Sequence, residues 1–195
     1  PLPAFEPLWL ASGCTLTPSN VEGPFYLPLN LLRQDITEGL PGFEMELLLR
    51  VVRASDCSPL VGAVVDIWHA NAIGRYSGVA AQGTLGRTFL RGIQLTNSSG
   101  LVHFHTTFPG WYPSRATHIH AKVFPTPTTV LTTQFYFAQE TTSTVDEQPI
   151  YNGHGPNPLS NAADPFFLAE TVIPVREIGR AGLPSPFPGR RRLIA

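Results

Sequence analysis

Residues 110–124 read GWYPSRATHIHAKVF, and the second half of this stretch decides the fold. Taken as a strand, "THIHAKVF" (117–124) puts Ile119, Ala121 and Val123 on one face and His118 and His120 on the other. One face is apolar and belongs against a core. The other carries two imidazoles about 6.5–7 Å apart along the strand, close enough to lean onto one ion. The alternation therefore predicts a half-buried sheet strand. The H-x-H pair is either a solvent-facing polar pair or half of a metal site.

Similar runs recur along the chain: 45–52, 63–70, 87–96, 101–108, 131–138 and 168–175 all read as strands. Turn signals separate them, including "SDCSPL", "NAIGRYSG", "NSSG", "FPGWYPS" and "FPTPT". Helix signals are scarce, and 20 prolines and 17 glycines are spread through the 195 residues. The predicted class is all-β: a β-sandwich with long loops and few short helices. No strand–helix alternation points to a doubly wound nucleotide-binding sheet. Apolar residues make up 43% and charged residues 14%, a globular balance. With a net charge of −1 and no basic stripe, nucleic acid is not an expected partner. No apolar run reaches the length of a membrane-spanning helix. Cys14 and Cys57, both in turn-like contexts, are expected to form one disulfide, the alternative being two unrelated thiols. A disulfide points to an oxidising compartment, hence a secreted protein, with a cytoplasmic one as the alternative.

A second H-x-H, His103 and His105 in "LVHFHTTF", has no tyrosine or arginine on a nearby tight turn. It is expected to be the polar face of a half-buried strand. The first pair differs in its company. Tyr112 lies in the turn just before it, Arg115 lies between, and Tyr76 follows the strand 63–70 in "WHANAIGRYSG". Each tyrosine alone reads as a packing residue, and Arg115 alone reads as a salt-bridge residue. Together, two phenols and two imidazoles suit a hard, strongly charged cation. A phenol is a poor ligand while protonated, and such a cation lowers its pKa. Ferric iron fits. Zinc favours Cys, His and carboxylate, and copper favours His with Cys or Met.

In combination "EGPFY" (22–26), "VDIWHANAIGRYSG" (65–78), "FLRGIQLT" (89–96), "FPGWYPSRATHIHAKV" (108–123) and "TTQFYF" (132–137) resemble the intradiol ring-cleavage dioxygenases. The resemblance implies a non-haem Fe(3+) held by Tyr76, Tyr112, His118 and His120. It further implies that Tyr112 leaves the metal when substrate binds, that Arg115 stabilises the substrate, and that Gln134 lines the pocket. The implied activity is opening the ring of a catechol-type small molecule with O2 to a muconate-type diacid, by a monomer or small homo-oligomer. The implied layout is an arm (1–13), a catalytic sandwich (14–181) and a tail (182–195). Only 13 residues precede Cys14, which points to the compact core of the family. Trp68 is expected in the core and Trp111 is left open. Glu22 and Tyr26 either line the pocket or anchor the arm, and Asp66 and His69 have no assigned role. Rival readings are a non-enzymatic β-sandwich module that binds phenolics or glycans, and a zinc hydrolase.

Overall fold

The computed structural model describes residues 14–178 and 192–194. The expected arm of residues 1–13, and all of the expected tail but 192–194, lie outside the described residues. In chain order the strands are β1 (Glu44–Arg50), β2 (Val64–Trp68), β3 (Arg91–Leu95), β4 (Leu101–Thr107), β5 (His118–Thr126) and β6 (Thr129–Phe137). Helix α1 (Gln139–Asp146) follows, then β7 (Val172–Ile173), β8 (Arg176–Ile178) and β9 (Arg192–Ile194). They form a five-stranded sheet, β3-β2-β5-β6-β7, and a four-stranded sheet, β4-β1-β9-β8. This is the expected β-sandwich.

Alternation builds the core. Val65 and Ile67 of β2, with Ile119 and Ala121 of β5, face Met45 and Leu47 of β1 and Val102 and Phe104 of β4, all nearly inaccessible to solvent. Such packing is the main source of the fold's stability. On the outer face of the four-stranded sheet, Glu46 lies between the second histidine pair, 2.5 Å from His103 Nε2 and 3.1 Å from His105 Nδ1. That is the polar face expected there. The segment around residues 31–35 bridges Leu32 to Ile93 and Asp35 to His105, so it covers the β3 edge and reaches β4.

Element ends differ from the sequence pattern for local reasons. The run 87–96 becomes a strand only at Arg91, because Leu90 has a left-handed backbone (φ 56°). The run 168–175 splits into a 3₁₀ turn, Ala169–Thr171, and the two-residue β7. Helix α1, QETTSTVD, has Val145 as its single large apolar residue and so carries almost no periodic signal.

Residues 18–27 form a strap. It pairs with the β6 edge through Asn20 N–H to Thr132 O (2.8 Å) and then crosses the outer face of the five-stranded sheet. There Gln134 Nε2 donates to Val21 O (2.8 Å), Tyr26 Oη donates to Asp66 Oδ2 (3.0 Å), and Lys122 pairs with Glu22. Glu22 and Tyr26 are thus anchors of this segment. The Cys14–Cys57 disulfide, closing 43 residues with a Cα–Cα distance of 5.5 Å, ties the chain just before the strap to the turn after β1.

His69 joins the two sheets. Its Nδ1–H donates to Ala70 O (2.8 Å), so Nε2 accepts from Thr106 Oγ1 of β4 (2.8 Å). Burial pushes its pKa down to about 4. Between about 4 and the ordinary value near 6.5 the unfolded chain therefore binds the proton that the folded chain refuses. His69 should leave stability unchanged above pH ~6.5 and reduce it as pH falls, by up to ~1.4 kcal/mol per unit. Urea unfolding from pH 8 to 4.5 should show a slope lower by about one proton in His69→Gln than in the parent. Equal slopes would remove His69 from the acid response. Cys57→Ser should cost about 2–4 kcal/mol in the same assay, and a reductant should lower the parent to the level of the variant.

Candidate metal centre

The site is set on the outer face of the five-stranded sheet by strand parity. His120 lies opposite Trp68 in β2 and Gln134 in β6, and His118 lies opposite Tyr136. These side chains share the face away from the core. Trp68 is buried as expected, in a second, smaller apolar cluster with Ala70 and Tyr76. It stacks flat on His120 (centroids 4.9 Å, planes 4° apart), outside the central apolar cluster.

The two tyrosines arrive on loops that touch backbone to backbone. Gly110 N–H donates to Asn71 O (3.1 Å). Asn71 Oδ1 in turn accepts from Ile73 N–H (3.2 Å) and Arg75 N–H (2.9 Å), closing the turn before Tyr76. Gly74 has φ +74°, and a Cβ there would lie 2.0 Å from Trp111 O, so only glycine permits this contact. Trp111 is held by donating from Nε1 to Gly155 O (3.1 Å). Arg91 donates from Nε to Ser77 Oγ (2.8 Å) and from Nη2 to Ser77 O (2.7 Å), fixing the turn just after Tyr76. Sequence reasoning gave Arg91 no role. The Tyr76 ring ends between Phe25 (4.6 Å) and Tyr112 (5.4 Å).

The four expected ligands are thereby brought together. Tyr112 Oη is 3.3 Å from His118 Nε2, which is 3.0 Å from His120 Nε2. The Tyr76 and His120 rings are 6.1 Å apart. His118 Nδ1–H donates to Ala116 O (2.6 Å), so its Nε2 presents a lone pair. The Tyr76 hydroxyl and His120 Nδ1 are buried without a hydrogen-bond partner, which is costly for a folded protein. Burial, with Arg115 second, pushes His118 down to about 3; burial, with His118 second, takes His120 well below its ordinary value. Both imidazoles are neutral. Burial likewise raises Tyr76 far above the ordinary phenol value, and Tyr112 above it, so both phenols keep their protons unless a cation displaces them. Among the described residues no group of three or more His, Cys, Asp or Glu could hold an ion, so an ion here must draw on the phenols. Two imidazole Nε2 atoms facing each other beside two phenols, one of them without a hydrogen-bond partner, fit a hard trivalent cation.

Arg115 lies beside this cluster, buried in the bend before β5. Its Nε donates to Asp164 Oδ2 (2.9 Å), Nη2 to Gln134 Oε1 (2.5 Å) and Tyr136 Oη (2.8 Å), and Nη1 to Tyr112 Oη (3.5 Å). Burial works against its charge, but the Tyr112 and Tyr136 phenols and Asp164 outweigh it and hold Arg115 above the usual arginine range. Sequence reasoning missed Asp164 and Tyr136. The only signal for Asp164 was indirect: a buried arginine needs a carboxylate, and no spacing says which.

Gly23 of the strap faces His120 directly. It has φ +73°, and a Cβ there would sit 3.1 Å from His120 Cε1. Gly23→Ala should cost about 1–2 kcal/mol of stability from the left-handed backbone alone. It should also weaken metal retention, as seen in the metal content after dialysis against a chelator. A variant that keeps both would show that the strap does not press on His120.

A dioxygenase family model matches residues 21–152. The chain is 32% identical to a chlorocatechol 1,2-dioxygenase of Pseudomonas sp. (strain P51), over 44% of this chain and 41% of that one. It spans about half the length of the curated relatives it matches. Among solved structures it resembles an intradiol ring-cleavage dioxygenase from Tetranychus urticae (28% identity, TM-score 0.78, 93% of this chain and 92% of that one). It also resembles a catechol 1,2-dioxygenase from Pseudomonas arvilla C-1 (25% identity, TM-score 0.66, 91% of this chain and 59% of that one). With the family match, the sandwich and the assembled phenols and imidazoles, the chain belongs to the intradiol ring-cleavage dioxygenase family.

Proposed function

We propose that this chain binds Fe(3+) through Tyr76, Tyr112, His118 and His120 and uses O2 to cleave catechol-type aromatics between their two hydroxylated carbons, giving muconate-type diacids. The observation that carries this proposal is the meeting of His118 Nε2, His120 Nε2 and Tyr112 Oη within 3.0–3.3 Å contacts, beside the partnerless Tyr76 hydroxyl. When bound, the ferric ion would supply Lewis acidity that draws electron density from the catecholate, and the catecholate itself would give the electrons that O2 takes up. The protein's residues do the rest. Tyr76 is fully buried behind Phe25 and stays in place. Tyr112 is only partly buried and lies near Arg115, so it is the phenol free to swing away and take a catechol proton at its oxygen. Trp68 fixes the plane of His120 by stacking. Arg115 offers a preorganised positive charge where negative charge builds on the ring. Gln134 orients that charge and ties the strap to the site. The disulfide favours a location outside a reducing cytosol.

Protein loaded with ferric iron should be red to burgundy from tyrosinate charge transfer and should take up O2 with catechols. Tyr76→Phe and Tyr112→Phe should each change the visible band. Arg115→Gln should keep the band while kcat falls by roughly 10²–10³. A colourless protein that consumes no O2 with any catechol would overturn the assignment.

A further inference from the structure

Arg115 is gripped by a loop that the mechanism above leaves unused. Residues 161–167 follow α1, and three contacts anchor them. Asn161 Nδ2 donates to Phe137 O (2.8 Å) and Asn161 N–H to Gln139 Oε1 (2.8 Å), while Asn20 Nδ2 of the strap donates to Phe166 O (2.7 Å). Within this loop the buried Asp164 turns one carboxylate oxygen on Arg115 Nε (2.9 Å) and Ala116 N–H (2.7 Å), and the other on Phe166 N–H (2.8 Å). The Phe166 ring covers the guanidinium face, 4.8 Å from Cζ to centroid. Phe166 is 37% exposed, a large apolar side chain held at the surface by this contact. The Nε edge of the group is fixed by Asp164, its face by Phe166, and its Nη2 by Gln134 and Tyr136.

Resting on the proposed function, we infer that Asp164 and Phe166 are positioning residues. They lock the guanidinium of Arg115 in one plane, with Nη1 toward Tyr112, and so set how a catechol-type substrate is held during turnover. Gln134 and Tyr136 alone would leave the Nε edge unpaired and one face open. The charge would remain but its direction would not, and small misplacements of a polarising group are expensive in rate.

The test uses the ferric protein with Phe166→Leu, Phe166→Tyr and Asp164→Asn. The readouts are kcat and KM for catechol, iron content, the visible tyrosinate band, and the affinity for 4-nitrocatechol from its spectrum. Phe166→Leu should keep iron and band, lose roughly tenfold in kcat, and bind 4-nitrocatechol more weakly. Phe166→Tyr, which keeps the aromatic face, should recover most of that loss. Asp164→Asn should lose up to roughly a hundredfold in kcat with the band retained. If Phe166→Leu turns over within twofold of Phe166→Tyr beside an active parent, the clamp falls and the proposed function stands. If the variants lose iron and band in proportion to kcat, the loop is structural and the clamp also falls. A parent with neither band nor turnover overturns both.

Discussion

The structure depends on one constraint: two imidazoles and two phenols are buried together on the outer face of a sheet with fewer hydrogen-bond partners than they have polar atoms. The Nε2 atoms of His118 and His120 face each other, and the hydroxyl of Tyr76 and Nδ1 of His120 are left without a hydrogen-bond partner. Folding removes these groups from water and leaves the Tyr76 hydroxyl and His120 Nδ1 without partners, which costs stability. The surroundings hold them there regardless. The strap lies over them, the stacked Trp68 stops His120 turning away, and two loops jammed together at Gly74 keep the phenols in place.

The fold and the metal centre were unequally legible in the sequence. The period of two in "THIHAKVF" was enough to predict both the core face of β5 and the shared direction of its histidines. The contrast with His103 and His105 was equally readable, because that pair lacks a tyrosine-bearing turn; what could not be read was the carboxylate of Glu46 between them. The burial of Trp68 was readable from its size; that it joins the smaller cluster on the outer face, opposite His120, was marked only by its parity with Asp66.

Other features left no pattern to read. Asp164 meets Arg115 across 49 residues, and nothing local marks the pairing. The strap has no secondary structure of its own, so no periodicity announced that the polar face of β5 would be roofed instead of solvated. Strands of two or three residues, such as β7, form because a neighbour offers hydrogen bonds, not because their composition demands it. The sequence therefore announces which chemistry is present better than which distant segments hold it in place.

On β5 the core and the centre alternate residue by residue. Ile119 and Ala121 seal the sandwich, and His118 and His120 face the opposite way. A slip of one position against β2 would send imidazoles into hydrocarbon and leave isoleucine and alanine under the strap. Such an error destroys the oil-like interior and the pairing of the two imidazoles in the same stroke. Quality control that senses only stability would thus also remove chains whose imidazoles face the wrong way, because here a mispaired molecule cannot keep its core.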